Sequence, residues 1–571
     1  MDDAPGSLRF RVGILLLALT WLLSPARGTQ AQTPGFVIGS QNTATADPPV
    51  PRPHEKPCVV PLFSGFQFVN FNIQSYQFVP PASCPAPWEK VVFTADFNVT
   101  AGVQYDRTAI VDLEDVNIYF GTTPEPGQSL SPSWHVERDE TAYAALFTSP
   151  RTGHVILGNL VNSTYTGVIS GSAQLEFYPA QGNLRAEDGK RPADAVLPLT
   201  QLNTQGEINE PAFLNATTDQ LATAFTLPRN IERVYLDVIT QSQSNDEFWY
   251  TCVPNDVATE LQSCRNTAFR EAEISIDGVP AGVAPVYPWI YTGGIDPFLW
   301  VPIPGVQTLN FEPFRVDLTP FAGVLSNGEQ HAVALSVFNA DSYFSATATL
   351  LLYLDHGSQR VSGEVTANTI GSAPSPTVDE NLQTSTSGNI TGSVATTSAR
   401  EFKVSGFVNT SHGRVDTEVR QSLNFKNFQN FDITSSVYTQ DIFQETNVVS
   451  STTIHQGGNS VETQETFSYP LTVDLTLTFA VDGSATQVTT ASQEFKHNVW
   501  SPFSSSFVDN KVNSTDALAL NSSFDITGNS GAKSSQSYNA FDSGGEKYSC
   551  SLASENNALS SASGGCPGNN K

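Results

Sequence analysis

Two short stretches carry the side chains best suited to acid–base chemistry. One is Gln104-Tyr105-Asp106-Arg107, at the expected end of a strand, where a carboxylate stands beside a guanidinium. The other is Asn245-Asp246-Glu247-Phe248-Trp249-Tyr250-Thr251-Cys252, adjacent acids followed by aromatic rings and a cysteine. Taken alone, an acid next to an arginine reads as a surface salt bridge or a turn pair, and an aromatic cluster reads as core. Adjacent acids in a cysteine-pinned loop are less ordinary. Rings near a polar site suit sugar faces, and by desolvation they raise a neighbouring carboxyl's pKa. Other familiar signatures are missing: the chain has no Gly-x-Ser-x-Gly elbow, no His-Glu-x-x-His helix and no phosphate-binding glycine loop. The eight histidines are scattered without a ligand-pair spacing, so neither a metal nor a cofactor is expected.

Such residues need elements to aim them, and an internal repeat indicates which. Val136-Glu-Arg-Asp139-Glu-Thr141-Ala-Tyr143 is echoed by Val316-Asp317-Leu-Thr319-Pro-Phe321. Each block is followed by a histidine and, at the same spacing, an asparagine: His154 to Asn162 and His331 to Asn339. Both read as a corner fixed by Asp, Thr and an aromatic, then an alternating strand. A repeat of this length predicts two similar modules in tandem, with a groove where they join. Matching positions favour a structural role for His154 and His331. Short β-rich runs with Gly/Pro punctuation and almost no helical periodicity predict an all-β chain: two tandem jelly-roll-like sandwiches followed by a third β-rich region.

The expected boundaries follow composition. Residues 1–30 read as a secretory signal peptide: Arg9 and Arg11 precede the apolar run Val12 to Leu23, which is short for a membrane span. Residues 31–57 read as a loose leader, 58–209 as the first sandwich with a polar insertion at its end, and 210–360 as the second. Residues 361–393 read as a protease-accessible Ser/Thr-rich linker, and 394–571 as the C-terminal β-rich region. Six cysteines in a secreted chain predict three disulfides, most simply Cys58 with Cys84, Cys252 with Cys264 and Cys550 with Cys566. Sequons at Asn98, Asn162, Asn215, Asn389, Asn409, Asn513 and Asn521 fit the same compartment. A net charge of −28 argues against nucleic acid as a partner. After signal cleavage no membrane association is expected.

Several segments resemble the acid-type peptide-N-glycanases of plants and fungi, the amidase A family. The resemblance rests on Gly121-Thr-Thr-Pro-Glu-Pro126, Trp134-x-Val-Glu-x-Asp139-x-Thr-x-Tyr143, Leu157-Gly-Asn159-Leu and Tyr165-Thr-Gly-Val168, and covers at least residues 58 to 360. It extends more faintly to the bacterial peptide-N-glycosidase type, built from two jelly-roll sandwiches. That type implies a catalytic aspartate in a Trp-Asp-Arg strand end, similar to Tyr105-Asp106-Arg107 here. It also implies a glutamate before a tryptophan in a cysteine-flanked loop, similar to Glu247-Phe248-Trp249-Tyr-Thr-Cys252, with Asp246 as a rival for the role. A second glutamate of that type corresponds to Asn159, so its role is altered here or carried by another group.

The resemblance implies hydrolysis of the amide joining an N-glycan to asparagine, with Asp106 as base and Glu247 or Asp246 as a raised-pKa acid or sugar ligand. Asn159 and Arg107 are expected at the developing oxyanion, Arg107 also as an orienter of Asp106. Trp249 and Trp300 are expected along the sugar groove or, equally, in the core. The expected partner is an N-glycopeptide or glycoprotein, with association of two chains should the linker be nicked. A glycoside hydrolase would also use paired carboxyls. A secreted glycan-binding protein without catalysis is the third class.

Overall fold

A computed structural model describes residues 36–180, 191–201 and 211–567. The expected signal peptide and much of the polar insertion lie outside the described residues. The first module has eight strands: β1 (Cys58–Phe68), β2 (Gln74–Phe78), β3 (Trp88–Val99), β4 (Thr108–Leu113), β5 (Val116–Thr122), β6 (Ser133–Asp139), β7 (Arg151–Leu157) and β8 (Ile169–Pro179). They form two four-stranded sheets in the orders β1-β8-β3-β6 and β2-β7-β4-β5. Alternation explains the layering. In β8 (Ile-Ser-Gly-Ser-Ala-Gln-Leu-Glu-Phe) every second residue is buried. Those inward residues pack with Phe93, Val111, Tyr119 and Phe147 between the sheets.

The second module repeats this plan. Its strands are β9 (Ala195–Pro198), β10 (Ala212–Leu214), β11 (Leu221–Thr226), β12 (Ile231–Gln243), β13 (Glu271–Ile276), β14 (Val279–Pro285), β15 (Phe314–Asp317), β16 (Gln330–Phe338) and β17 (Tyr343–Leu354). With the extra edge strand β9 set aside, the orders β10-β17-β12-β15 and β11-β16-β13-β14 match those of the first module strand for strand. The sequence repeat occupies equivalent places, the corners after β6 and β15. In each corner the aspartate accepts from the backbone of the threonine two residues on, 3.1 Å for Asp139–Thr141 and 2.9 Å for Asp317–Thr319. His154 and His331 likewise each bond an aspartate at the β4 or β13 end, Asp112 or Asp277. The insertion reading is corrected at β9, which pairs with β17 and so belongs to the second module.

Connectivity places the loops. The β4–β5 hairpin sends the chain back on itself, so the connections β3→β4 and β5→β6 leave from the same end of the first sandwich. The same holds for β12→β13 and β14→β15 in the second. The modules pack through Leu309, Leu351 and Tyr353, which join the first module's core. Polar clasps add direction: Tyr143 Oη donates to Asp237 Oδ2 (2.9 Å), and Arg315 holds both Asp237 oxygens at 2.7 Å.

Two segments expected to be loose are ordered. Residues 36–57 are pinned to three regions: Gly39 and Ser40 pair with Leu559, Ala44 with Pro302, and Arg52 with Glu137 and Glu176. The supposed linker carries strands Ser362–Asn368 and Thr377–Thr384, both paired with Ile390–Thr410. Ser/Thr-rich composition was misleading here because Thr suits a half-exposed strand as well as a linker. These strands belong to an eleven-stranded C-terminal sheet, which meanders to Ala558–Gly564. Its inner face, including Val404, Phe425, Leu471 and Val473, shares one core with the second module.

Disulfides Cys252–Cys264 and Cys550–Cys566 are present. The third expected bridge is corrected: Cys58 and Cys84 stand as thiols. Cys58 pairs in register with Phe177, whose carbonyl accepts from the Cys84 thiol (3.6 Å). Burial first, then the Cys58 thiol, pushes Cys84 up to about 11. Sequons Asn98, Asn162, Asn215, Asn409 and Asn513 are exposed, and Asn389 and Asn521 half-buried. No described helix is long and apolar enough to cross a membrane.

Candidate active site

Four connections converge where the modules meet. Asp106 ends the β3→β4 connection (100–107) and Glu125 lies in β5→β6 (123–132). From the second module come Glu247 in β12→β13 (244–270) and Gly293 in β14→β15 (286–313). The Gly293 N–H donates to Asp106 Oδ2 at 2.9 Å. Next to it, Thr292 Oγ1 donates to the Thr123 carbonyl at 2.7 Å. The Asp106 N–H donates to Glu125 Oε2 at 3.3 Å, which brings the first module's two acids side by side. Glycine at 293 leaves room for both acids. A Cβ there would collide with Glu125 Oε2 and lie 3.2 Å from Asp106 Oδ2.

Three carboxyls share this poorly solvated corner, and their surroundings separate their proton affinities. Burial pushes Glu125 up to about 7, and the Asp106 charge pushes the same way. Glu247 is also pushed up to about 7, by burial first, then by Asp106 and Glu125. Asp106 is raised by burial as well, but the Gly293 amide and the Arg107 charge pull it back. The Gly293 amide and the Arg107 charge thus favour the anion of Asp106, whereas every influence on Glu247 favours its protonated form. Opposed protonation states are the requirement for a base and an acid to act in one turnover.

The other expected residues divide. Arg107 is 4% exposed and folds back, donating to the carbonyls of Tyr105 (2.9 Å) and Asp106 (3.1 Å) and to Gln104 Oε1 (2.9 Å). It orients the Asp106 backbone and does not face the cleft. Burial lowers its pKa to about 10. Asn159 is fully buried, donating to the Phe68 and Gly167 carbonyls and accepting from Gln104 Nε2 (3.1 Å). Its amide is spent, so the oxyanion expectation is corrected: Asn159 braces Gln104, which braces Arg107.

Asp246 is corrected too. Arg270 binds its Oδ1 at 2.8 and 3.0 Å, with both side chains unexposed, and the Asp341 and Ser342 amides bind Oδ2 at 2.9 and 2.8 Å. No lone pair is left for a substrate. This ion pair anchors the turn that presents Glu247, whose half-buried carboxyl takes no hydrogen bond within the described structure. Trp249 and Trp300 are core residues: Trp249 packs on Phe425, and Trp300 Nε1 donates to the Gly294 carbonyl (2.9 Å). Half-buried Phe248 instead borders a polar cleft of about 610 Å³ with Ser244, Asn245, Gln262, Arg265 and Asp341.

Glu125 was not among the expected site residues. Glu125 stands in Thr123-Pro-Glu-Pro-Gly127, which reads as a turn cluster, although flanking prolines are also a means of fixing one carboxyl. Two groups of described residues could hold an ion: Asp112, Asp115 and His154, and Glu232, Asp355 and His412. Both sit at the opposite ends of the site-bearing strands β4 and β12, and neither includes Asp106, Glu125 or Glu247.

Comparison with known proteins places these elements. Residues 57–370 match the family model of the peptide N-acetyl-beta-D-glucosaminyl asparaginase amidase A, and residues 393–471 match that family's C-terminal domain. A peptide-N4-(N-acetyl-beta-glucosaminyl)asparagine amidase A of Prunus dulcis is 29% identical over 395 residues, 66% of this chain and 67% of the relative. Among solved structures, PNGF-II aligns at TM-score 0.37 and 14% identity, covering 52% of this chain and 66% of that one. PNGase F, a glycosylasparaginase from Flavobacterium meningosepticum, aligns at TM-score 0.34 and 14% identity, covering 52% and 96% respectively.

Proposed function

Because the chain belongs to the peptide N-acetyl-beta-D-glucosaminyl asparaginase amidase A family, we propose that Asp106, Glu125 and Glu247 form its catalytic centre. The enzyme is an amidase that hydrolyses the glycan–asparagine bond of N-glycopeptides, giving a glycosylamine and a peptide with aspartate. The observation that carries the site assignment is the meeting of three half-buried carboxyls at the module junction, where the Gly293 amide and Arg107 draw Asp106 back toward its anion.

Amides resist water because the carbonyl carbon is weakly electrophilic and the nitrogen leaves poorly. Asp106 takes a proton from a water molecule as its oxygen attacks the asparagine carbonyl carbon, a contribution of roughly 10²- to 10⁴-fold. Protonated Glu125 donates a hydrogen bond to the developing oxyanion, a role worth about 3 kcal/mol for one well-placed donor. Glu247 gives its proton to the departing nitrogen as the C–N bond breaks. The polar cleft beside Phe248 receives sugar, its ring edge offering an apolar face among hydroxyl, amide and charged groups.

Secretion completes the reading, supported by the two disulfides and by the absence of any buried sequon asparagine. A cut in the 370–376 turn would leave strands on both sides paired with Ile390–Thr410, so the two fragments would stay associated.

The test is incubation with a defined glycopeptide in heavy-oxygen water, followed by mass analysis. The expected product carries one heavy oxygen in an aspartate, about one dalton above asparagine before the isotope is counted. A peptide retaining one N-acetylglucosamine would instead identify a glycoside hydrolase, and intact glycopeptide a binding protein.

A further inference from the structure

We propose that the C-terminal sheet is a jig for the active site, in which buried amides hold the Glu247 and Gly293 connections at their working separation. The inference rests on the catalytic reading above. Asn427 Nδ2 donates to the Tyr250 carbonyl at 2.8 Å, Gln440 Nε2 to Thr251 at 3.2 Å and Gln429 Nε2 to Cys252 at 2.9 Å. These are three consecutive carbonyls, beginning three residues after Glu247. The amides also bind one another: Gln429 donates to Asn427 Oδ1 (2.9 Å) and Gln440 to Gln429 Oε1 (2.8 Å), so the group acts as a unit. On the other side, Gln487 Nε2 donates to the Ile295 carbonyl at 3.1 Å. Gln493 donates to Pro288 O (2.7 Å) and accepts from Val306 N (2.8 Å), bracketing the Gly293 connection.

Two features single these contacts out from ordinary packing. First, these amides meet irregular backbone, whose buried carbonyls no neighbouring strand satisfies. Second, both connections contain residues in the left-handed region, Ser244 at φ 55° and Ile295 at φ 65°. For a β-branched residue such as Ile295 this conformation persists only when the surroundings impose it. The Gln487 bond to Ile295 lies at that residue. One sheet strand, Asn459–Phe479, separates the two sets of amides. The rigid inter-strand spacing is thereby passed on to the gap between Glu247 and Gly293, and so to Asp106.

The test compares Gln429→Leu and Gln493→Leu with Gln421→Leu in the full-length protein. Gln421 is an equally buried amide of the same sheet, but its partner is Val283 O (3.2 Å) in β14. Turnover of a defined glycopeptide is followed against pH, at a temperature where circular dichroism shows each variant folded. Gln429→Leu and Gln493→Leu are expected to lower kcat about tenfold with KM nearly unchanged, below the ~10²-fold that a 1 Å misplacement can cost. Gln429→Leu should also move the alkaline limb to lower pH, because a loosened loop admits water around Glu247. Gln421→Leu should lower Tm and leave kcat and the pH limb where they are. Should Gln429→Leu not fold, Gln440→Leu, which removes one edge donor, is read in the same way. Unchanged kcat and pH limb in the position-429 (or 440) and 493 variants, with Asp106→Asn and Glu247→Gln inactive, would overturn the jig. Activity in those last two would instead overturn the catalytic reading on which it rests.

Discussion

The two sandwiches share one strand order and send the same two connections to the site, yet they divide the labour. In the first module both connections are short, residues 100–107 and 123–132, and Asp106 and Glu125 are set by bonds within a few residues of the strand ends. In the second, the equivalent connections run from 244 to 270 and from 286 to 313. A disulfide, the Asp246–Arg270 ion pair and the C-terminal sheet brace them. Short loops inherit precision from their sheet, whereas long ones must import it. The shared strand order sets where the cleft lies, and bracing from outside the sandwich sets the carboxyl that the second module contributes.

The comparison breaks most sharply at the reacting groups. Asp106→Asn in the first module should reduce glycan release by 10²-fold or more, and Glu247→Gln in the second by a similar factor. Both should leave Tm nearly unchanged, checked by calorimetry alongside mass-spectrometric turnover. Wild-type turnover in either variant removes that residue from the mechanism. Next in size, Gly293→Ala should cost about 10²-fold, because its methyl group invades the space of Glu125 and Asp106. Gly294→Ala, with a nearest contact of 3.1 Å to Tyr291 O, should cost less than tenfold. Equal losses at both glycines would show that the loop as a whole, and not its approach to Asp106, matters.

The neighbours Asp246 and Glu247 should separate stability from chemistry. Asp246→Ala strands Arg270 in the core and should cost about 3–5 kcal/mol of stability, seen as a lowered denaturant midpoint. Loss of turnover without loss of stability in that variant would contradict the bracing role. The smallest expected effect is on pH. Glu125 and Glu247 have folded pKa values raised to about 7, so the folded state binds their protons more tightly than the unfolded chain does. Their stabilising contribution is whole below about 4.5 and is lost as pH rises toward 7. Asp47 and Asp112, raised by burial to about 6, act in the same direction. Tm should fall between pH 4.5 and 7.5, and kcat should fall over the upper part of that range as Glu247 loses its proton. A Tm that rises across that range would contradict the assigned shifts.

Much of this was legible from residue order. Alternation in β8 dictates a strand, because a side-chain period of two can bury only one face. The Asp–Thr corner repeat dictates a second copy of the first module, and Tyr105-Asp106-Arg107 marks a strand end with an acid. The rest depended on contacts distant in the chain. Asp246 and Glu247 are adjacent acids, and Arg270, 24 residues away, together with the Asp341 and Ser342 amides, decides which one is neutralised. Trp249 reads equally as platform or core until Phe425 covers it. The stretch from 361 to 393 reads as a linker until Ile390–Thr410 supplies its hydrogen bonds. Local sequence determines periodicity and turn chemistry, since these depend on neighbouring residues. Burial, pairing and proton affinity depend on what the folded chain brings alongside, and tertiary structure alone decided those.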